Sequence, residues 1–292
     1  MHYIIMDLEW NNTYGRKISG FINEIIEVGA VKLDEELNVI DTFTSLIRVQ
    51  IGKKLRGSVK RLTNITNEDL NTGMQFIQVF EAFKQWIGPD ENILLTWGDG
   101  DIRVLIDNYR YLNGTETIPF MSNYADLQKL FQIVYKTSVS KQIGLICGAQ
   151  LIGLDSEKYA NHRGLDDSML SAEIFIKCFD AEELAKITSE CDERFYARLA
   201  FKAFAITNID NPLVDRSVLN YSCEICHSQA KQLTEWKNVN QYFRAEFYCS
   251  KCDVKFRVGV RFKKLFDRLV VRKTSSVIEN ETEEEHKDSV EA

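Results

Sequence analysis

The sequence predicts an α/β domain, a mixed sheet flanked by helices, followed by a small module built on paired cysteines. Three observations carry this reading. The first 50 residues hold three strand-like runs in succession. Residues 75–178 then mix short apolar runs with apolar positions at helical spacing. Beyond them lie two Cys-x-x-Cys pairs, at 223–226 and 249–252.

Residues 3–10 open the domain as a strand, and 21–33 and 39–49 read as two more, joined by the turn at 34–38. Residues 75–87 carry apolar positions at helical spacing, and 92–97 form a short buried-type strand. A helix follows over 101–112, then a strand over 119–125 with a helix running to Val134, then helices over 139–154 and 166–178. Hairpin-linked strands followed by alternating helices and strands imply a mixed sheet. The expected organisation is a first domain over 1–182, a helical linker over 183–217, the cysteine module with its basic end over 218–273, and a disordered acidic tail over 274–292.

The 292 residues suffice for one ordinary domain and a smaller one, and 45% hydrophobic with 27% charged residues reads as globular. The apolar run in MHYIIMDLEW is broken at once by Asp7 and Glu9, so no secretory signal is expected. No stretch of about 18 apolar residues points to a membrane span. The expected compartment is the cytoplasm, where thiols stay reduced. Cys147, Cys178 and Cys191 sit among apolar neighbours and are expected to be small buried hydrophobes. The net charge of −7 hides an asymmetry: 216–273 carries +8, 274–292 carries −6, and the remainder −9. A basic block between acidic segments is a candidate surface for a polyanion, or a solvated lysine-rich face.

Asp7-Leu8-Glu9 sets two carboxylates two residues apart on an apolar strand, so both project to one face. Buried like charges are costly unless a cation compensates them, and oxygen ligands suit a divalent one. The bland alternative is an exposed strand end. Thr96-Trp97-Gly98-Asp99-Gly100-Asp101 follows a strand and precedes a helix, where an Asp either aims at a site or caps the helix. Asp99 and Asp101 compete for both roles. Asn161-His162-Arg163-Gly164-Leu165-Asp166-Asp167 precedes another helical pattern, with His162 the one well-placed imidazole of the first domain.

Taken together, these features resemble the DEDDh exonucleases, which have a ribonuclease H-like fold. That family shows Asp-x-Glu on the first strand, a central Asp, and His-x-x-x-x-Asp near the end; the matching positions are Asp7, Glu9, Asp101, His162 and Asp167. The Trp97-Gly98-x-x-Asp101 form looks like the branch of RNA-trimming exonucleases related to the histone-mRNA 3′ exonuclease. Leu62-Thr63-Asn64-Ile65-Thr66 resembles the family's Leu-Thr-Gly-Ile-Thr, with Asn64 replacing glycine. The resemblance covers about residues 1–180. It implies 3′→5′ hydrolysis of single-stranded nucleic acid, RNA slightly favoured, to nucleoside 5′-monophosphates. It also implies two Mg²⁺ or Mn²⁺ held by Asp7, Glu9, Asp101 and Asp167, with His162 as general base. Trp10, where many relatives have a small or hydroxyl residue, and Trp97 are candidate nucleic-acid contacts; Trp10 equally suits packed core. A catalytically silent binding module on the same fold is the alternative, against which the intact set of five residues argues.

Cys223, Cys226, Cys249 and Cys252 form two Cys-x-x-Cys knuckles at a spacing that suits one tetrahedral structural Zn²⁺, the arrangement of a zinc ribbon. Disulfides or a redox pair are the alternatives, and His227 is a possible substitute ligand. Residues 255–273 alternate basic with apolar or aromatic groups, making Arg257, Arg261, Lys263 and Lys264 candidate nucleic-acid contacts. The ribbon is also a possible protein-docking module.

Overall fold

Along the first strand, β1 (His2–Gly15), Ile4, Met6 and Leu8 enter one core while Tyr3 and Ile5 enter another. A strand with two apolar faces must lie inside a sheet covered on both sides. The computed structural model describes residues 1–138, 141–159 and 162–278. They divide into two units, Met1–Ala200 and the chain from Phe201 onward.

In the first unit β1 is followed by β2 (Gly20–Leu33), β3 (Val39–Leu46), the short helices α1 (Gly57–Thr63) and α2 (Asn67–Thr72), and α3 (Phe76–Ile87). Next come β4 (Asn92–Thr96), α4 (Gly100–Asn113), β5 (Asn123–Asp126), α5 (Leu127–Val134), α6 (Leu145–Leu151) and α7 (Gly164–Cys178). The unit ends with α8 (Ala181–Ile187), β6 (Ser189–Glu190) and α9 (Glu193–Ala200). The sheet order is β3-β2-β1-β4-β5-β6: hairpins make the first three strands antiparallel, and crossovers make β4 and β5 parallel to β1. α3 and α4 close one face, with Phe76, Phe80, Phe83 and Leu105 in the core; α5 and α7 close the other, with Phe131 and Phe175. This is the expected α/β architecture of mixed sheet and flanking helices.

Two local features position the site. β4 pairs with β1 only as far as Ile5↔Leu95, so β1 beyond Ile5 faces the turn leading into α4 rather than another strand. The β1–β2 register also slips after Glu9, from Glu9↔Glu27 to Trp10↔Ile25, which leaves Ile26 as the extra residue of a β-bulge. Ile26 anchors a small satellite core with Leu55, Ile65 and Leu70 beneath α1 and α2.

Several expectations are corrected. Residues 183–217 are not a helical linker: α8 and α9 belong to the first unit, where Leu184, Phe195, Tyr196 and Leu199 are buried, and the chain from Phe201 belongs to the second. The helix expected over 139–154 is confined to α6 with a cap at Gly144, just after the Ile143 carbonyl that accepts from both Trp97 Nε1 and Gln128 Nε2; residues 139–140 lie outside the described ones. Cys178 is buried and Cys191 partly so, but Cys147 is exposed on α6.

The second unit contains β7 (Phe204–Ala205), β8 (Lys231–Gln232), β9 (Lys237–Val239), β10 (Tyr242–Cys249), β11 (Val254–Lys264) and β12 (Leu269–Val277). Its strands form one antiparallel sheet centred on β10 and β11. Phe243, Phe247, Phe256, Val258, Val260 and Phe262 alternate into its core. β12 runs into the segment expected to be disordered, because Thr274 and Ser276 pair with Gly259 and Arg257 of β11; residues 279–292 lie outside the described ones. Among the described residues, no helix is long and apolar enough to cross a membrane.

Candidate active site

The site begins on β1. Asp7 and Glu9 project to the α7 side, Glu9 9% exposed and Asp7 half-buried. The Leu8 amide between them, beyond the last β1–β4 pair, donates to Asp101 Oδ1 at 3.0 Å. Asp101 lies in the first turn of α4 and is 6% exposed. Asp99, its competitor, pairs instead with Arg103 at 2.8 Å. The sharp turn between β4 and α4 needs Gly98, whose φ of +83° lies in the left-handed region.

Asp167 arrives from α7, whose start rests directly on the sheet. Gly29 pairs with Asp7 across β1 and β2, and a Cβ on Gly29 would lie 2.0 Å from the carbonyl carbon of Gly164. Ser168 Oγ secures the contact by donating to the Gly29 carbonyl at 2.9 Å. Bare backbone on both sides is what lets the helix come close enough for Asp167 to join Asp7 and Glu9. Asp167, rather than Asp166, faces the cluster: it accepts the His162 amide at 3.1 Å, and ligand atoms of Glu9, His162 and Asp167 lie within 4.8 Å of one another. His162 holds a left-handed φ of +60°.

One residue of this neighbourhood escaped the sequence reading. Glu27, opposite Glu9 in the register, has a side chain only 2% exposed. Arg163 clamps it through Nε at 3.2 Å and Nη2 at 2.7 Å, and the Gly164 amide adds a third bond at 3.0 Å. The clamp fixes the loop bearing His162 to β2. Its signal was a charged residue inside the otherwise apolar run of residues 25–31.

Burial, with repulsion from Asp101, Asp167, Glu9 and Glu27, pushes the Asp7 carboxyl well above its usual range. Burial and the charges of Asp167, Glu27 and Asp101 raise Glu9 to about 8, against the weaker pull of Arg163. Asp101 rises to about 7, mainly by burial and against the Leu8 hydrogen bond, and Asp167 to about 6, by burial and against His162. Four crowded carboxylates must either hold protons or share a cation. Hard oxygen donors in this density suit divalent cations such as Mg²⁺ or Mn²⁺, and the residues present fit that role.

The two tryptophans are placed differently. Trp97 packs on Phe131 with its edge against Gly148, its indole N–H donates to the Ile143 carbonyl, and the ring is partly buried against the second core. Trp10 is partly buried against the first core. The resembling segment Leu62–Thr66 has a physical basis: Asn64 closes α1 at a φ of +56°, a conformation glycine and asparagine tolerate, and Thr66 caps α2 in a reciprocal box with Asp69.

In the second unit, Sγ atoms of Cys223, Cys226, Cys249 and Cys252 all lie within 4.8 Å of one another, with Cys226–Cys249 at 3.4 Å and Cys223–Cys252 at 3.9 Å. Four thiolates around one tetrahedral Zn²⁺ stand about 3.8 Å apart, so the cluster fits that ion. All four are free thiols rather than disulfides, and His227 is not one of the cluster.

The family model of the RNase T exonucleases matches residues 4–175. A probable 3′-5′ exonuclease, KapD of Bacillus subtilis, is 30% identical over 177 residues, 59% of this chain and 82% of that protein. The human 3′-5′ exoribonuclease 1 is 29% identical over 164 residues; the match covers 54% of this chain but only 46% of that protein. The nuclease domain of 3′hExo, a DEDDh family member bound to rAMP, superposes with a TM-score of 0.53 and 27% identity, covering 60% of this chain and 90% of that one. A 3′-exonuclease solved in 3′-end-specific recognition of a histone mRNA stem-loop gives 0.55 and 25%, covering 66% and 71%. The chain thus belongs to the RNase T family of exonucleases, and its first unit is a DEDDh-type 3′→5′ exonuclease domain.

Proposed function

We propose that this chain removes nucleotides one at a time from the 3′ end of single-stranded nucleic acid, RNA in preference to DNA, releasing nucleoside 5′-monophosphates. The observation that carries the reading is the convergence of Asp7, Glu9, Asp101, His162 and Asp167 on one end of β1. Support for RNA comes from the relatives: the human one is named an exoribonuclease, and one structural neighbour holds rAMP.

Asp7, Glu9, Asp101 and Asp167 would hold two divalent cations, which when bound supply charge stabilisation for the phosphate and the departing 3′-oxygen. The Leu8 amide fixes the direction of Asp101. His162 takes the proton from the attacking water as general base. Asp167 holds the His162 backbone, and the Glu27–Arg163 clamp holds the loop that carries the imidazole beside Glu9 and Asp167. Trp10, next to Glu9 and not fully buried, offers a stacking surface for the terminal base. One zinc ion on the four cysteines would fold the second unit.

The test is a time course on 5′-labelled single-stranded RNA and DNA of equal sequence, with Mn²⁺ or without divalent cation, for the parent, Asp7→Ala and His162→Ala. The expected result is a metal-dependent ladder shortening from the 3′ end, faster on RNA and lost in Asp7→Ala. His162→Ala is expected to keep Mn²⁺ binding while losing about a hundredfold or more in rate. Undiminished turnover in His162→Ala would remove it as the base.

A further inference from the structure

The strand alternation of the second unit sorts its cations onto one face. On β11, Phe256, Val258, Val260 and Phe262 point into the core, so Lys255, Arg257, Arg261 and Lys263 point the other way. Residues directly opposite across strands share a face. The register therefore adds Arg244 of β10, opposite Gly259, and Arg272 of β12, opposite Arg261. Glu246 is the carboxylate on this face of β10, 3.5 Å from Arg257.

Arg261 on this face also donates to Gln241. Lys273 is on the core-side row of β12, where its ammonium bonds the Val218 carbonyl at 2.9 Å and the Asn220 carbonyl. Lys264 follows Lys263 and so alternates to the opposite face, which removes it from the expected contact set.

The middle of the face carries an aromatic ring. Tyr242 leans over Gly259, where an added Cβ would meet its Cδ1 at 3.4 Å and Thr274 Oγ1 at 3.0 Å. The guanidiniums of Arg244 and Arg261 stand 5.5 Å and 5.8 Å from the ring centroid. A half-exposed ring with two guanidiniums close by offers a stacking surface beside cations that can meet phosphates.

We infer that this open sheet face, centred on Tyr242 with Arg244, Arg257, Arg261 and Arg272, binds single-stranded nucleic acid through phosphate contacts and base stacking. Stacking requires unpaired bases, which selects a single strand over a duplex. Both units share one chain, so a strand held here is tethered to the exonuclease domain. The inference is independent of the metal and base assignments above.

The test uses the full chain with Asp7→Asn to stop digestion, and fluorescence anisotropy with 5′-labelled U12, the same RNA annealed to its complement, and polyglutamate. U12 is expected to bind more tightly than duplex. Replacing Arg257, Arg261 and Arg272 together by Gln should weaken U12 about tenfold or more and flatten the dependence of log Kd on log salt by about 2, from roughly 0.7 per phosphate contact. Tyr242→Leu should weaken U12 about fivefold or more with an unchanged salt slope. Retained zinc and circular dichroism verify folding, and Arg257→Gln with Arg272→Gln, both exposed positions, gives a milder version of the same test. Unchanged U12 affinity in folded variants overturns the inference, as does polyglutamate binding equal to U12 with no effect of Tyr242→Leu, which marks an acidic-protein surface. A parent chain that binds U12 through this face yet never shortens it in Mn²⁺ overturns the exonuclease reading alone.

Discussion

Gly29 and Gly164 touch backbone to backbone, and through that contact α7 delivers Asp167 to the strand that carries Asp7. No side chain fits between them. The carboxylate cluster therefore depends on two residues that have no functional group.

Gly29→Ala is expected to destabilise the domain by about 1–3 kcal/mol, because its methyl would press on the Gly164 and Leu165 backbone rather than on a flexible side chain. The same displacement moves Asp167 away from Asp7, so activity should fall further than stability accounts for. Urea denaturation and the RNA time course, run on the same preparation, check both. Wild-type stability in this variant would mean that α7 is free to shift.

Arg163→Ala leaves the buried Glu27 carboxylate with the Gly164 amide but without its guanidinium. Arg163 is 42% exposed, so water replaces part of the loss, and about 1–3 kcal/mol of destabilisation is expected. The rate should drop more than tenfold, roughly the effect of a misplaced general base. Arg163→Lys should recover little, since an ammonium does not reproduce the forked contact. Unaltered kinetics in Arg163→Ala would show that the clamp does not orient His162.

Without divalent cation, stability should fall as pH rises. The sign follows from the raised carboxyls: Glu9 moves from 4.5 to about 8, Asp101 from 3.8 to about 7 and Asp167 from 3.8 to about 6. Each favours the protonated form in the folded state. Their stabilising contribution is complete below pH about 4 and is lost as pH climbs through 6 to 8. A bound cation compensates the exposed charge, so the gain in Tm from Mn²⁺ should be larger at pH 8.5 than at pH 5.5. Thermal melts at the two pH values decide it; equal gains would mean that these carboxyls do not take up the cation.

Cys249→Ser is expected to abolish stoichiometric zinc, measured by elemental analysis, and to open the second unit to proteolysis while a protected fragment of the first unit remains. The four Sγ atoms lie within 4.8 Å of one another, and Cys223 and Cys249 are themselves part of the small core that Phe243, Phe247, Phe256, Val258, Val260 and Phe262 help to build. A variant that stays protease-resistant without zinc would make the metal dispensable for folding.

Much of this was legible in the chain. The period-2 run of β1 fixed Asp7 and Glu9 on one face, and the two knuckles announced their own cluster. Asn64 fits its helix end because its left-handed φ is one that asparagine and glycine accept. Other readings failed for identifiable reasons. The partners of Trp97 were not legible, because Phe131 and Ile143, which pack against it and accept its indole N–H, are distant in sequence. The segment from 183 read as a linker because its charges are dense, although Phe195, Tyr196 and Leu199 turn inward along α9.

By itself, the sequence determined the chemistry: which carboxylates, imidazole and thiols exist, in what order, and on which face of a strand or helix each must lie, because periodicity is local. Tertiary structure alone decided the rest. It supplied the contacts behind positions that the family resemblance had already picked out, the Leu8 amide on Asp101 and the Gly29–Gly164 approach that brings in Asp167, and it gave Glu27 its clamp on Arg163. It also set Tyr242 beside the guanidiniums of Arg244 and Arg261. Each of these is a contact between residues that only the register of paired strands and the close approach of a helix bring within bonding distance.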